Sequence, residues 1–223
     1  MKELRNLNEL NKGVDKHWIW GSKDNFYRSC DCLQKINYSI QDLNREIDNL
    51  ENPTMKEVIY VIVLIDWICE AVETIAKTLR KGILDNYSYN EESILKSQKY
   101  FKAVRSFVVA HPLSTNRHGN YGFDGDLICV DIGKKESMII KQLSKNKDWF
   151  HLDFEGIRGN AKEESADFVL YVYSKKADGM QFFKYIGVNF QDLYHVAELQ
   201  IEKLYALDKY LGKLRKKDLG INI

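Results

Sequence analysis

The feature that most constrains the fold is an unbroken run of eight apolar residues at positions 58–65. A segment that spans a bilayer needs roughly 20 such residues, and this run stops at Asp66. We therefore predict a long helix from about 55 to 81 whose apolar part is buried in the protein. Pro53, or a capping box formed by Thr54 and Glu57, begins this helix, and Gly82 ends it.

Three further segments have the periodicity of amphipathic helices. Apolar residues recur at steps of three and four in residues 24–50, 91–111 and 192–217. Pro112 should end the second of these segments, because a proline disfavours the helical conformation of the residue before it. We expect a mainly α fold in which residues 1–112 and 191–223 form a helical bundle.

The part of the chain between these helices has the composition of loops and strands. Residues 114–126 contain three glycines and many other turn-forming residues. Further along, the pattern predicts strands at 127–132, 148–155, 168–173 and 182–190 and a short helix at 137–145. We expect a small antiparallel β-sheet of three or four strands, inserted at residues 113–190 into a single domain of residues 1–223.

The composition is that of an ordinary globular protein. The chain has 33 basic and 32 acidic residues, so its net charge does not single out a nucleic-acid partner, although a local basic patch is compatible with it. The four cysteines have no paired spacing, and the first residues lack the apolar stretch of a signal peptide. We expect a cytoplasmic protein that has no membrane segment and uses neither a metal ion nor another cofactor.

The stretch RSFVVAHP at residues 105–112 places two reactive side chains at the ends of an apolar run. A histidine can move protons near neutral pH, and an arginine can hold and neutralise a phosphate. Together these are the groups that RNA cleavage without a metal requires. In an ideal helix six residues turn by about 240°, so Arg105 and His111 do not share a face. They can meet if the helix end unwinds at Pro112 or if a second subunit completes the site.

Arg105, Ser106, four further residues and His111, on the third long helix of a mainly helical protein, resemble the motif of the HEPN superfamily. The resemblance covers the helices in residues 24–112 and 191–217. It implies a helical bundle that forms a homodimer and acts as a metal-independent endoribonuclease, in a toxin–antitoxin, phage-defence or RNA-processing system. Arg105 would bind the scissile phosphate and His111 would act as acid or base, leaving a cyclic phosphate and a 5′-hydroxyl.

Two features depart from the pattern of that family. Ser106 stands where asparagine, aspartate or histidine is more frequent, and the inserted sheet is not part of the minimal family fold. Some members bind nucleotides or partners without cleaving anything. The alternative function is therefore a noncatalytic helical module that binds a nucleotide, RNA or a protein. The partners that we expect are RNA, a second copy of the chain and a protein such as an antitoxin.

Two groups of residues are candidates to support the motif. Asn116, Arg117 and His118 follow the same helix end and add hydrogen-bond donors and a second titratable group. A second group, which we call the acidic stripe, lies on one face of the predicted 55–81 helix and consists of Asp66, Glu70 and Glu73. This stripe is either a solvated face or the partner that orients a basic residue. On a purely structural interpretation, Arg105 pairs with the stripe and His111 satisfies carbonyl groups at the helix end.

Overall fold

A computed structural model describes residues 1–10, 12–110, 125–131, 149–159, 166–175 and 181–219. The chain divides into two compact units. The first unit consists of Met1, Glu46–Val63 and Leu95–Val196. The second consists of Lys2–Arg45, Leu64–Ile94 and Ala197–Ile223. The expected fold class is confirmed at the coarse level, because the described chain is mainly helical and carries one small sheet.

Four α-helices form most of the regular structure in the described residues. They are α1 (Lys23–Glu46), α2 (Met55–Thr78), α3 (Glu91–Arg105) and α4 (Phe190–Lys213). A 3₁₀ turn, Ile47–Glu51, extends α1, and a π-helical turn, Ser106–Ala110, extends α3. Within the described part of the chain, no helix combines the length and the hydropathy that crossing a membrane requires.

The start of α2 follows from its local sequence. The backbone N–H of Thr54 donates to Glu57 Oε2 at 2.8 Å, and the Thr54 hydroxyl contacts the same oxygen. The backbone N–H of Lys56 in turn donates to the Thr54 hydroxyl oxygen at 3.2 Å. These contacts satisfy N–H groups that have no partner within the helix, so the predicted capping box is confirmed. The apolar run behind it is largely buried, at Val58, Val61, Ile62, Leu64 and Ile65.

The end of α2 differs from the prediction. The helix stops at Thr78 instead of continuing to Lys81. Beyond it, the backbone pairs with an earlier segment, because the N–H of Arg80 donates to the carbonyl of Ile19 at 2.9 Å. Gly82, with φ +88°, lies in the turn that follows rather than at the helix end. A contact between segments about 60 residues apart thus replaces the last helical turn.

Asp208, on α4, binds a segment near the start of the chain. Its carboxylate accepts backbone N–H groups from Lys12 at 3.1 Å, Gly13 at 2.8 Å and Val14 at 3.0 Å. Asp208 is only 2% exposed, so these three donors replace the water that a buried carboxylate would lose. We call residues 12–16 the N-terminal clasp.

Lys16 completes the clasp at the C-terminal end of α4. Its amine donates to the carbonyls of Leu211, Gly212 and Leu214 at 3.0, 2.7 and 3.0 Å. Carbonyls in the last turn of a helix have no partner within it and attract a cation. Glycine makes the approach close enough, because a Cβ on Gly13 would lie 2.3 Å from Leu211 Cβ.

The sheet belongs to the first unit and has five strands in the part of the chain that the structure describes. They are β1 (Gly125–Asp131), β2 (Trp149–Asp153), β3 (Gly156–Gly159), β4 (Phe168–Lys175) and β5 (Gln181–Val188), in the order β1-β4-β5-β2-β3. Strands β1, β2, β4 and β5 agree with the predicted regions. The expected number of three or four strands was wrong, because β3 was not predicted, and the purely antiparallel pairing was wrong as well. The β2–β3 hairpin joins the sheet through β2, which runs parallel to β5 with His151 opposite Gly187.

The parallel pairing of β2 with β5 determines where the β2–β3 hairpin and the start of α4 lie. Because β2 and β5 run in the same direction, their carboxyl ends lie at the same edge of the sheet. The backbone leaves β5 at Val188 and enters α4 at Phe190, where the prediction had continued the strand. Asp167 causes this change, since its carboxylate accepts the N–H of Phe190 at 2.8 Å and caps the new helix.

Candidate functional site

The motif arginine lies at a change of helical geometry. Arg105 is the last residue of α3 and is half-buried, and the next five residues form a π-helical turn. Single π turns within or at the end of helices are rare and occur frequently at functional sites. The 240° rotation expected between Arg105 and His111 assumed an ideal α-helix, so it does not apply across this turn. His111 itself lies outside the described residues.

Pro112 limits how far helical hydrogen bonding can extend, whereas the change from α to π geometry occurs earlier in the chain, at Ser106. Pro112 has no N–H to donate to the carbonyl of Val108, four residues earlier, and its ring would clash with that carbonyl. Burial holds the segment in place at the same time, because Ser106, Phe107 and Val108 are 7%, 0% and 5% exposed. The turn therefore combines a buried inner side with a half-buried arginine at its start.

The residues predicted to support the motif have different positions. Asn116, Arg117 and His118 lie outside the described residues. The acidic stripe is on α2 in the second unit, whereas Arg105 belongs to the first unit. Glu70 is exposed, and Glu73 forms an ion pair with Lys77 on its own helix at 3.6 Å. Asp66 and Glu73 are half-buried, so the stripe is not a uniformly solvated face, and an orienting role for it stays a prediction.

A cavity of about 540 Å³ opens between α3 and the β2–β3 hairpin. Its volume is in the range of pockets that hold small molecules. Lys96, Lys99, Tyr100 and Ala103 line one wall, and residues 152–157 line the other. An ion pair joins the two walls, since the Lys96 amine lies 3.1 and 3.3 Å from the carboxylate oxygens of Glu155. Sequence reasoning did not identify this cavity.

Aromatic side chains lie beside the cavity. The rings of Tyr100 and Phe154 are 5.1 Å apart, and Phe154 stacks on His195 at 5.2 Å. Burial raises the pKa of the Tyr100 hydroxyl well above its usual value, and the carboxylates of Asp192 and Asp167 raise it further. Tyr100 therefore stays protonated at neutral pH and cannot serve as a base or a nucleophile there.

His151, on β2 in the first unit, is buried. Its Nε2 lies 3.4 Å from the side-chain amide of Asn189 and 3.8 Å from the carboxylate of Asp192. The other ring nitrogen, Nδ1, has no hydrogen-bond partner among the residues that the structure describes. With its side chain 6% exposed, this imidazole connects β2 to the start of α4 and does not face an RNA in solution.

Local sequence contains little that would have identified His151. Strand alternation places it on the same face of β2 as Asp153, and both residues are buried. Their burial depends on the parallel pairing of β2 with β5, which no neighbouring residue specifies. In the part of the chain that is described, no group of three or more histidine, cysteine, aspartate or glutamate side chains could hold a metal ion.

Comparisons of the chain with protein-family models, with curated proteins and with solved structures find no match. The functional inference therefore depends on the residues and their geometry.

Proposed function

We propose that the protein is a metal-independent endoribonuclease of the HEPN type. The observation that carries this proposal is the π turn that directly follows Arg105 and lies between it and His111 in the chain. A helix end of altered geometry, anchored by buried residues and starting at a cation, is suited to present that cation to a phosphate.

The proposed chemistry needs one base, one acid and a cation. The base removes the proton of a ribose 2′-hydroxyl, whose oxygen attacks the adjacent phosphorus. The bond to the 5′-oxygen breaks, and that oxygen receives a proton from the acid. Arg105 stabilises the negative charge that develops on the phosphate, and His111 moves one of the protons. The products are a cyclic phosphate and a 5′-hydroxyl.

The biological setting is also a proposal. The resemblance to HEPN proteins favours a homodimer in the cytoplasm that belongs to a toxin–antitoxin or phage-defence system, with an antitoxin as a protein partner.

Cleavage of labelled RNA in EDTA tests this proposal. We expect wild-type protein to leave cyclic phosphate ends, and Arg105→Ala and His111→Ala to lower the rate by about 100-fold or more, the range typical of a lost acid–base or phosphate-binding group. Arg45→Ala is the matched control, because Arg45 is an exposed arginine that pairs with Asp42. Undiminished cleavage by both motif variants would show that the activity lies elsewhere.

The cavity beside α3 favours a second candidate function, a noncatalytic module that binds a nucleotide or RNA. Its walls combine lysine amines with aromatic and aliphatic side chains, a combination that suits a phosphate and a base. RNA binding that weakens as salt rises, without cleavage by the wild-type protein, would favour this function.

A further inference from the structure

The positive charge of helix α3 follows a single row. Lys96, Lys99, Lys102 and Arg105 recur at intervals of three residues, and we call them the α3 cation row. Residues 93–110 contain no acidic side chain. The whole chain has almost equal numbers of basic and acidic residues, so this row is a local concentration of charge that net charge conceals.

The spacing gives the row a defined geometry. Side chains three residues apart are neighbours on a helix, with Cβ atoms roughly 5–6 Å apart. Each step turns by about 60° around the axis, so the row is oblique and Lys99 and Arg105 lie about 120° apart. Lys99 and Lys102 are exposed, and Arg105 is half-buried. Long lysine side chains on such a row can each reach a different phosphate of an extended strand.

Ordinary structural roles explain only part of the row. Lys102 and Arg105 are in the last turn of α3, where the helix dipole favours cations. Lys96 forms an ion pair with Glu155. Lys99 lies outside the last turn and has no ion-pair partner within the described part of the chain, so neither explanation applies to it.

Lys99 also connects the row to the cavity. It lines the cavity together with Tyr100 and Ala103, and the opposite wall includes Phe154 and Ile157. A phosphate held by Lys99 would therefore leave its nucleoside at the cavity mouth. Apolar and aromatic walls favour the flat face of a base over the charged backbone.

We infer that Lys99, Lys102 and Arg105 hold phosphates of one single-stranded RNA, and that a base next to Lys99 enters the cavity. The strand would cross α3 obliquely from Lys99 to Arg105, with the scissile bond at the π turn. This inference rests on the proposed function, because it assigns a path to the RNA that Arg105 and His111 would cleave.

Salt-dependent binding tests the path along the row. The probe is a short fluorescent 2′-O-methyl oligouridine, which lacks the attacking hydroxyl and so cannot be cleaved. Its affinity is measured by anisotropy between about 50 and 200 mM salt. Log affinity falls as log salt rises, and each lost phosphate contact on a single strand makes this slope shallower by about 0.7. Lys99→Ala/Lys102→Ala should therefore make it shallower by about 1.4.

The matched control is Lys56→Ala/Lys209→Ala, which removes two exposed lysines from α2 and α4. We expect this control to keep the wild-type slope. A wild-type slope in the Lys99→Ala/Lys102→Ala variant would overturn the inference, and so would a wild-type protein that does not bind the oligomer. Equal melting temperatures of the two double variants show that both are folded.

Abasic RNA tests the role of the cavity. Wild-type protein should bind the oligomer at least about fivefold more tightly than its abasic counterpart, because a stacked base contributes to affinity. Ala103→Leu, which fills part of the cavity, should remove this preference and leave the salt slope unchanged. Equal binding of both oligomers by the wild-type protein refutes base entry without requiring any variant to fold.

The binding and cleavage assays separate the two proposals. If cleavage needs Arg105 and His111 but the lysine variant keeps the wild-type salt slope, the nuclease proposal is supported and the proposed RNA path is refuted. If the lysine variant has a shallower salt slope but the wild-type protein does not cleave RNA, the RNA path is supported and the nuclease proposal is refuted.

Discussion

At the scale of single residues, the half-buried Tyr87 and the buried Tyr100 make stability depend on pH in the alkaline range. Burial raises the pKa of Tyr87 to about 12, with a further contribution from Tyr89, and the hydroxyl of Tyr87 donates to the carbonyl of Lys203. Burial also raises the pKa of Tyr100 well above its usual value of 10. In both cases the folded protein favours the protonated phenol, which the unfolded chain would lose earlier as pH rises.

We therefore predict that stability decreases as pH rises above about 10. Below pH 10 both states keep these protons, so the two phenols have no effect on the pH dependence. Between pH 10 and 12 the unfolded chain binds fewer protons than the folded protein, and the free energy of unfolding falls. Urea unfolding at pH 9 and pH 11 measures the decline, which Tyr87→Phe and Tyr100→Phe should reduce.

Tyr27→Phe serves as the control for these two variants, because Tyr27 is 53% exposed. We expect it to keep the wild-type decline. The same decline in all three variants would assign the pH dependence to other groups. Tyr100→Phe should also fold well, since it removes a buried hydroxyl that has no hydrogen-bond partner within the described residues.

At the scale of elements, the contact between the N-terminal clasp and α4 leaves no room for a side chain at Gly13. A Cβ there would meet Leu211 Cβ at 2.3 Å and the carbonyl oxygen of Asp208 at 2.7 Å. Because one of these atoms is backbone, the segment must move away and weaken its bonds to Asp208. We predict that Gly13→Ala lowers the free energy of unfolding by about 2–3 kcal/mol, measured by urea denaturation.

Gly21→Ala is the matched control for that substitution. Its Cβ would lie 3.2 Å from the side-chain nitrogen of Asn25, which can rotate away. We expect a change below about 1 kcal/mol. Equal effects of the two substitutions would mean that the close approach at Gly13 does not hold the clasp in place.

How far the helices and strands could be predicted depends on how far apart in the sequence the residues that determine them are. The capping box was predictable, because Thr54 and Glu57 are three residues apart. The end of α2 was not, because Arg80 pairs with Ile19. The parallel pairing of β2 with β5 and the burial of His151 depend on similarly distant contacts.

The candidate site was predictable to the same limited extent. The motif from Arg105 to His111 and the cations of α3 are visible in the sequence, whereas the π turn and the cavity are not. The cavity exists because the β2–β3 hairpin packs beside α3, with Glu155 reaching Lys96. A local pattern carries no signal for such a contact, since the two residues are 59 positions apart.

At the scale of the whole molecule, the nuclease that we propose is a homodimer. If Arg105 of one copy acts with His111 of the other, a mixed dimer of Arg105→Ala and His111→Ala chains regains one intact site. We predict that mixing the two inactive variants, after exchange of subunits, restores roughly a quarter of the wild-type cleavage rate. A mixture that stays inactive while the wild-type protein cleaves RNA would place both residues of each site in one chain.

The N-terminal clasp also determines when the fold can be completed during synthesis. Gly13 and Asp208 are 195 residues apart in the chain, and a ribosome makes the first of them long before the second. Residues 12–16 must therefore wait, without their native acceptors, until α4 has left the ribosome. A segment that is translated well before α4 thus reaches its final place only after α4 has been made.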